Sequence, residues 1–296
     1  LTATARPGNC TPAIPILRSL LGTSTLVSPA DALATLSSIG EQRPADIAPV
    51  IDDIRPYLDS NRVSARREAT ACVAHVASEH PSDAVAAVPG LATVIEDDAA
   101  GLQSAVSALT SIALAYPDAV TPVADLLGDV SLDESKSNDV RLYATAALGR
   151  CVEAFPSIAV DIVGDIAALL DAKNDHLRNN AVALLFEVTA IHTDAVEPFV
   201  DDIGELLTVE DTYTRVNATG ALARVAEDFP GSVEHLTPTF VELLTDDESA
   251  VRENACWALG YLGALDSKAA LEERLQADDD KGVRGRASWA LAQLNE

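Results

Sequence analysis

Methionine is absent from all 296 residues, and aromatic side chains make up only 4% of them. A chain without Met even at position 1 is expected to be trimmed or partial. With two Trp, five Tyr and five Phe, the core has to be built from Ala, Leu, Val and Ile, small side chains that let helices approach closely. No stretch approaches about 18 uninterrupted apolar residues, which excludes a membrane-spanning helix. Leu1 to Cys10 lacks the charged and apolar segments of a secretory signal. Cys10, Cys72, Cys151 and Cys256 stand far apart with no C-x-x-C pair, so they are expected to be small buried hydrophobes in a reducing, cytoplasmic setting. Catalytic signatures are missing as well: no Gly-rich phosphate loop, no G-x-S-x-G elbow, no H-E-x-x-H. His75 and His80 share a helix, but five residues carry them about 500° round its axis, so they diverge. Scattered carboxylate pairs such as Asp52-Asp53 and Asp201-Asp202 suit a solvated face. No catalytic residue, metal or cofactor is expected.

What the chain does have is a period. Arginine returns at Arg141, Arg178, Arg215 and Arg252, each in the same local context: Val140-Arg141-x-x-Ala144-x-x-x-Leu148, Leu177-Arg178-x-x-Ala181-x-x-x-Leu185, Arg215-x-x-Ala218-x-x-x-Leu222, Val251-Arg252-x-x-Ala255-x-x-x-Leu259. The frame extends to Val283-Arg284-x-x-Ala287-x-x-x-Leu291 and back to Arg66, Ala69 and Val73. Without the arginine it continues to Leu102, Ala105, Leu109 and to Pro29, Ala32, Leu36. A fixed period of this length marks a solenoid, in which each unit contacts only its neighbours.

A second recurrent segment lies between the arginine frames, for example Ala45 to Ile54 and Val196 to Leu207, again with apolar residues at three- and four-residue intervals. Pro44, Pro81, Pro117, Pro156 and Pro230 each follow the arginine slot by fifteen residues and are expected to stop the longer helix. Acidic turns separate the helices on the other side: Glu96-Asp97-Asp98, Asp171 to Asp175, Glu210-Asp211, Asp246-Asp247-Glu248 and Asp278-Asp279-Asp280. The first helix of each pair is predicted to start near 11, 46, 83, 118, 157, 194, 232 and 267. The second is predicted to start near 29, 64, 101, 140, 177, 214, 251 and 283. After an N-terminal tail at 1–10, one solenoid is expected over 11–296, with repeats at about 11–44, 45–81, 82–117, 118–156, 157–193, 194–230, 231–265 and 266–296. The first repeat is atypical, its turn from Gly22 to Ser28 carrying no charge, as expected of a cap.

Val-Arg-x-x-Ala-x-x-x-Leu-Gly after an Asp-rich turn resembles a HEAT-repeat protein, of the short type also seen in phycobilisome-lyase-like arrays. The likeness covers 11–296 and is most specific in Val140 to Gly149 and Val251 to Gly260. It implies an all-α, right-handed α-solenoid superhelix of about eight antiparallel helix pairs, armadillo-type in architecture. No catalytic residue can be carried over from the lyases. The surface adds a second likeness. The formal net charge is −26, lysine occurs four times, and Asp outnumbers Glu. Such a surface repels itself without dense counterions, and resembles those of haloarchaeal proteins adapted to a cytoplasm of molar salt.

A cation in the first turn of a helix faces the positive end of the helix dipole. Six recurrences of that unfavourable choice imply a fixed partner. Arg66, Arg141, Arg178, Arg215, Arg252 and Arg284 are therefore expected to form a structural ladder, with Asp139, Asp175, Asp211, Asp247 and Asp280 as the nearby acids; the family likeness implies such a ladder between repeats.

Counting the arginine slot as zero, positions +3, +7 and +10 form the apolar face of the second helix, and +2, +5 and +9 lie opposite. Stacked, the latter would line a concave surface. The stripe is neutral, holds both tryptophans, and repeats Asn at +2 in three consecutive units. Its candidate partner-binding residues are Tyr143, Arg150, Asn180, Asn217, Arg224, Asn254, Trp257, Tyr261, Arg286 and Trp289. Aromatic and Arg anchors in a low-charge setting have the composition of interface hot spots. The other reading open here is that small residues at +5 only allow tight curvature while the tryptophans cover the unpaired end of the array. The function expected is a non-enzymatic, monomeric scaffold binding a protein or peptide. The alternatives are a nucleic-acid-binding array, since some HEAT-like arrays resemble DNA-base glycosylases, and a lyase-like enzyme or enzyme subunit. A basic groove, the electrostatic requirement for nucleic acid, is absent from the sequence.

Overall fold

The computed structural model describes residues 11–22, 28–97 and 100–295. The tail at 1–10 with Cys10, most of the uncharged turn (23–27), Asp98 and Glu296 lie outside the described residues. Among those residues there is no strand, and no helix is long and apolar enough to cross a membrane. The chain divides into two compact units, one ending at Phe155 and the next beginning at Pro156. Each holds four helix pairs.

The second helices are α1 (Pro29–Gly40), α2 (Val63–Glu79), α3 (Leu102–Ala115), α4 (Asn138–Ala154), α5 (Asp175–Val188), α6 (Thr212–Asp228), α7 (Ser249–Tyr261) and α8 (Lys281–Gln293). Within the first unit α1, α2, α3 and α4 pack side by side in chain order; within the second, α5, α6, α7 and α8 do the same. Their starts agree with the sequence expectation to within two residues. Side-chain oxygens account for several of these starts. Ser28, Ser137, Asn174, Asp211 and Asp280 each accept a bond from a backbone N–H of the first turn, satisfying donors that the helix leaves open.

The first helices are less regular than the periodicity suggests. The one in the second pair is broken into Pro44–Ile47, a 3-10 turn at Ala48–Val50, Ile51–Ile54 and a last 3-10 turn at Arg55–Tyr57. Pro49, Pro122 and Pro198 occupy such mid-helix turns; a proline lacks the N–H that an unbroken helix needs there. The prolines expected to stop the longer helix do so indirectly. Pro44, Pro81, Pro117 and Pro230 are the first residues of the next helix, where a preset φ and a missing donor are no handicap. The residue before each proline takes the turn: His80, Tyr116 and Phe229 all have φ between −130 and −138.

The core follows the frame. At +3, Ala32, Ala69, Ala105, Ala144, Ala181, Ala218, Ala255 and Ala287 are all buried. At +7 the side chains from Leu36 through Leu259 are buried too, whereas Leu291 on the last helix is half-buried. Burying each such Leu is worth about 1.5–3 kcal/mol.

Candidate interaction face

At Arg66, Arg215 and Arg252 the arginine slot is a double connector. In the second unit, Arg215 Nη1 donates to the carbonyls of Val209 and Glu210 (2.9 and 2.8 Å), and Arg252 Nη1 donates to those of Asp246 and Asp247 (2.8 and 3.1 Å). These carbonyls follow the end of the first helix of the same pair, where a cation is favourable. The rest of the fork points to the following pair. Arg215 Nε and Nη2 bond Asp246 at 2.8 and 3.1 Å, and Arg252 Nε and Nη2 bond Asp278 at 2.8 and 2.9 Å. Both pairs are mostly buried. In the first unit Arg66 bonds Ser60 O and Asp97, while Arg141 donates to the Ser131 carbonyl. Arg178 meets Ala172 O and Asp175, and Arg284 meets Asp278 O and Asp279 O.

The acids that the arginines reach are therefore mostly not the expected ones. Of those, Asp175 alone pairs with its arginine; Asp211 and Asp280 cap their own helices, accepting from Thr214 and from Gly282 and Val283. The partners of Arg66, Arg215 and Arg252 sit 31, 31 and 26 residues further on. The Arg252 fork holds the Asp278 carboxyl below the ordinary aspartate range, burial opposing it, and that carboxylate in turn raises Arg252. Burial pushes Asp246 up, but Arg215, the Glu248 N–H and Arg252 together outweigh it and hold that carboxyl below its ordinary value.

The opposite face carries the stripe. On α4 Tyr143 is exposed, its carbonyl accepting from Thr110 Oγ1, and exposed Arg150 pairs with Glu153 at 2.7 Å. The remaining candidates lie in the second unit. Asn180 is half-buried on α5. Asn217 Nδ2 reaches Asn179 Oδ1 at 3.4 Å, and Asn254 Nδ2 reaches Val216 O and Thr219 Oγ1 at 3.2 and 3.3 Å. Asn217 thus ties α6 to α5, and Asn254 ties α7 to α6. Arg224 lies 4.0 Å from the Phe186 ring centre and donates to Phe186 O at 2.9 Å.

Four candidates come together on α7 and α8. Tyr261 stands between the tryptophans, its ring centre 6.1 Å from that of Trp257 and 4.9 Å, edge-on, from that of Trp289. The Arg286 guanidinium is 4.8 Å from the Trp257 ring and 5.7 Å from the Trp289 ring, with Glu253 at 3.7 Å. Such contacts combine cation–π attraction with edge-to-face packing. Burial, with Glu227 adding to it, pushes the Tyr261 phenol up. All four side chains remain half-buried. Trp289 also lies over Gly260, where the absence of a Cβ admits the ring.

Sequence reasoning missed Phe186, Glu253, Asp246 and Asp278 as members of these clusters. Asp278, 5% exposed in a chain this acidic, is the most telling; the Asp278-Asp279-Asp280 run hid it. The described cysteines Cys72, Cys151 and Cys256 are buried and unpaired. Burial pushes all three thiols up, Cys256 to about 12, so none is a nucleophile at neutral pH. No cluster of three metal-ligating side chains occurs among the described residues.

Comparison with known proteins bears on the fold. Residues 200–292 match the family model for HEAT repeats. No curated protein matches the sequence. The chain is similar to one solved for work on a phosphorylation switch controlling the interaction between cadherin and beta-catenin. That match has a TM-score of 0.78 at 14% identity and covers 96% of this chain. This chain spans 63% of that one. An engineered protein aligns at a TM-score of 0.49 and 20% identity, over 83% of this chain and 96% of its own. The fold is all-α, a solenoid of the armadillo and HEAT type.

Proposed function

We propose that the chain is a non-enzymatic, monomeric interaction scaffold that takes a protein or peptide partner on the α5–α8 face. The observation that carries this reading is the Trp257–Tyr261–Trp289 cluster with Arg286. In a chain of −26, both tryptophans sit half-buried on one face, where Arg286 is matched by Glu253 and Glu227 stands beside the Tyr261 phenol. A preassembled aromatic patch offers large contact area at small ordering cost, as interface hot spots do. Molar-salt cytoplasm is the setting that the acidic surface and the buried thiols support.

The test pairs binding with melting. The partner is isolated from native extract at its own salt concentration, and its affinity is measured for Trp257→Ala and Arg224→Ala. Trp257→Ala is expected to weaken binding by at least about 2 kcal/mol, roughly thirtyfold. Loss of thermal stability in Trp257→Ala with unchanged affinity would overturn the reading, since the aromatic cluster would then serve only to close the stack.

A further inference from the structure

Where the second helix of a pair gives way to the next pair, five consecutive pairs place a ring at +14: His80, Tyr116, Phe155, His192 and Phe229. Their backbones are alike, with φ between −130 and −138 and ψ between 57 and 73. In each, the N–H donates to the carbonyl four residues back at 2.7 or 2.8 Å. Equal backbones send each Cβ off in the same direction, so within a unit the rings line one edge of the stack. That edge runs along the side of the stack, and the turns at His80 and Tyr116 have a helix pair on either hand.

In the first unit this edge is open and acidic. Tyr116 and Phe155 are exposed and His80 is half-buried. Among the described residues none of the three rings stacks on another, and the Tyr116 hydroxyl makes no hydrogen bond. Exposed Glu79 and Asp83 flank His80, exposed Asp118 follows Tyr116, and exposed Glu153 precedes Phe155. No lysine or arginine occurs between Arg67 and Lys136, so the turns at His80 and Tyr116 carry no such base of their own. A ring beside a carboxylate suits a cationic side chain, which both attract.

We propose that the edge of His80, Tyr116 and Phe155 docks a proline-rich segment of a partner protein. The segment carries Lys or Arg and lies in polyproline II form, with one turn to each helix pair. Spacing and charge both argue for this occupant. Polyproline II repeats every three residues over about 9.3 Å, and packed helices step by about 8–10 Å, so each turn sets an equivalent residue over the next ring. A β-strand repeats over about 6.7 Å and is out of step by the second ring. Exposed rings form the platform on which prolines in this form dock, and the adjoining acids select the basic residue. The chain's own described prolines are all taken up in helix starts and 3-10 turns, so none lies free to cover the edge.

The probe is a labelled synthetic peptide of four Pro-Pro-Arg repeats, titrated into the full chain in molar KCl and followed by fluorescence anisotropy. At about 1 M salt charges are screened beyond about 3 Å, which suppresses the diffuse attraction of any basic peptide to an acidic chain. The probe is expected to bind at least about tenfold more tightly than two peptides of equal charge. Four Gly-Ser-Arg repeats lack the fixed form, and four Pro-Pro-Gly-Arg repeats break the step of three. Tyr116→Ala and Phe155→Ala should each weaken binding at least about threefold. Tyr116→Phe should keep it, because the ring makes the contact. Trp257→Ala should leave it unchanged, so failure here and failure of the aromatic patch on α7 and α8 are distinguishable. The peptide comparison uses the unaltered chain and stands even where a variant fails to fold. Equal affinity for all three peptides would reduce the edge to diffuse charge and overturn the proposal. So would absence of binding by the Pro-Pro-Arg probe, or full affinity in folded Tyr116→Ala and Phe155→Ala.

Discussion

Replacing Asp278 by Asn keeps the shape of the side chain and removes its charge. The consequences are worked from its surroundings. Asp278 is 5% exposed and accepts from Arg252 Nε and Nη2, from the Asp280 N–H at 3.0 Å and from Arg274 Nη1 at 3.5 Å. An amide can accept at one atom, so at least one donor of the Arg252 fork is left facing an N–H group. Arg252 itself is mostly buried and cannot recover the loss in water. Breaking a buried ion pair from one side costs about 3–5 kcal/mol. Arg252 keeps two carbonyls, which places the expectation at the lower end, about 3 kcal/mol. At roughly 2–4 °C per kcal/mol, the melting temperature should fall by roughly 6–12 °C. The control is Asp175→Asn: that carboxylate is exposed beside Arg178, and exposed pairs contribute about 0–1 kcal/mol. Differential scanning calorimetry of the two variants, with Arg252→Met and the Arg252→Met/Asp278→Asn double variant completing a cycle, isolates the pair. If Asp278→Asn melts within a degree or so of Asp175→Asn, the ladder contributes no more than surface charge and the reasoning fails.

Three further outcomes are expected. Molar KCl should raise the melting temperature of the whole chain well above its value in dilute buffer by screening acid–acid repulsion; equal melting in both would remove the salt-adaptation reading. Acid should destabilise through the ladder: Asp246 and Asp278 have folded pKa values lowered from 3.8, so their contribution is present above that value and disappears as pH falls through the lowered ones. Calorimetry from pH 5 to 2 should show a shallower decline for Asp278→Asn than for the parent chain, and parallel declines would contradict the assignment. Gly260→Ala should displace the Trp289 ring and crowd the Ala290 Cα, 3.1 Å from the new methyl, at about 1–3 kcal/mol; unchanged melting and unchanged tryptophan emission would show that the ring is loosely held.

Much of the fold was legible because one period carries it. Once Ala at +3 and the apolar residue at +7 are aligned, the eight second helices and their buried faces follow from helical geometry. The first helices were legible in position but not in form, because their 3-10 turns arise from prolines inside an otherwise periodic segment. The ladder was half legible. Recurrence of arginine at a disfavoured site signals a partner, but the acids adjacent in sequence are the natural helix caps, and the true partners belong to the next turn. At the aromatic face, composition pointed to Trp257, Tyr261 and Trp289, while Phe186 under Arg224 escaped notice because it lies at +8 of another helix. Side-chain partners across a junction depend on register between helices, which no single helix encodes.

The two-sided use of the arginine bears on how such a chain can change length. A fork that grips its own pair with one nitrogen and the following pair with the others behaves like a keyed coupling. A duplicated segment that begins anywhere but keeps the full spacing restores both halves of the coupling at each new seam. The last step, 32 residues from Arg252 to Arg284 instead of 37, still closes the Arg252 fork on Asp278, so the coupling fixes where a turn meets the preceding helix and leaves the length of the segment between them free to vary.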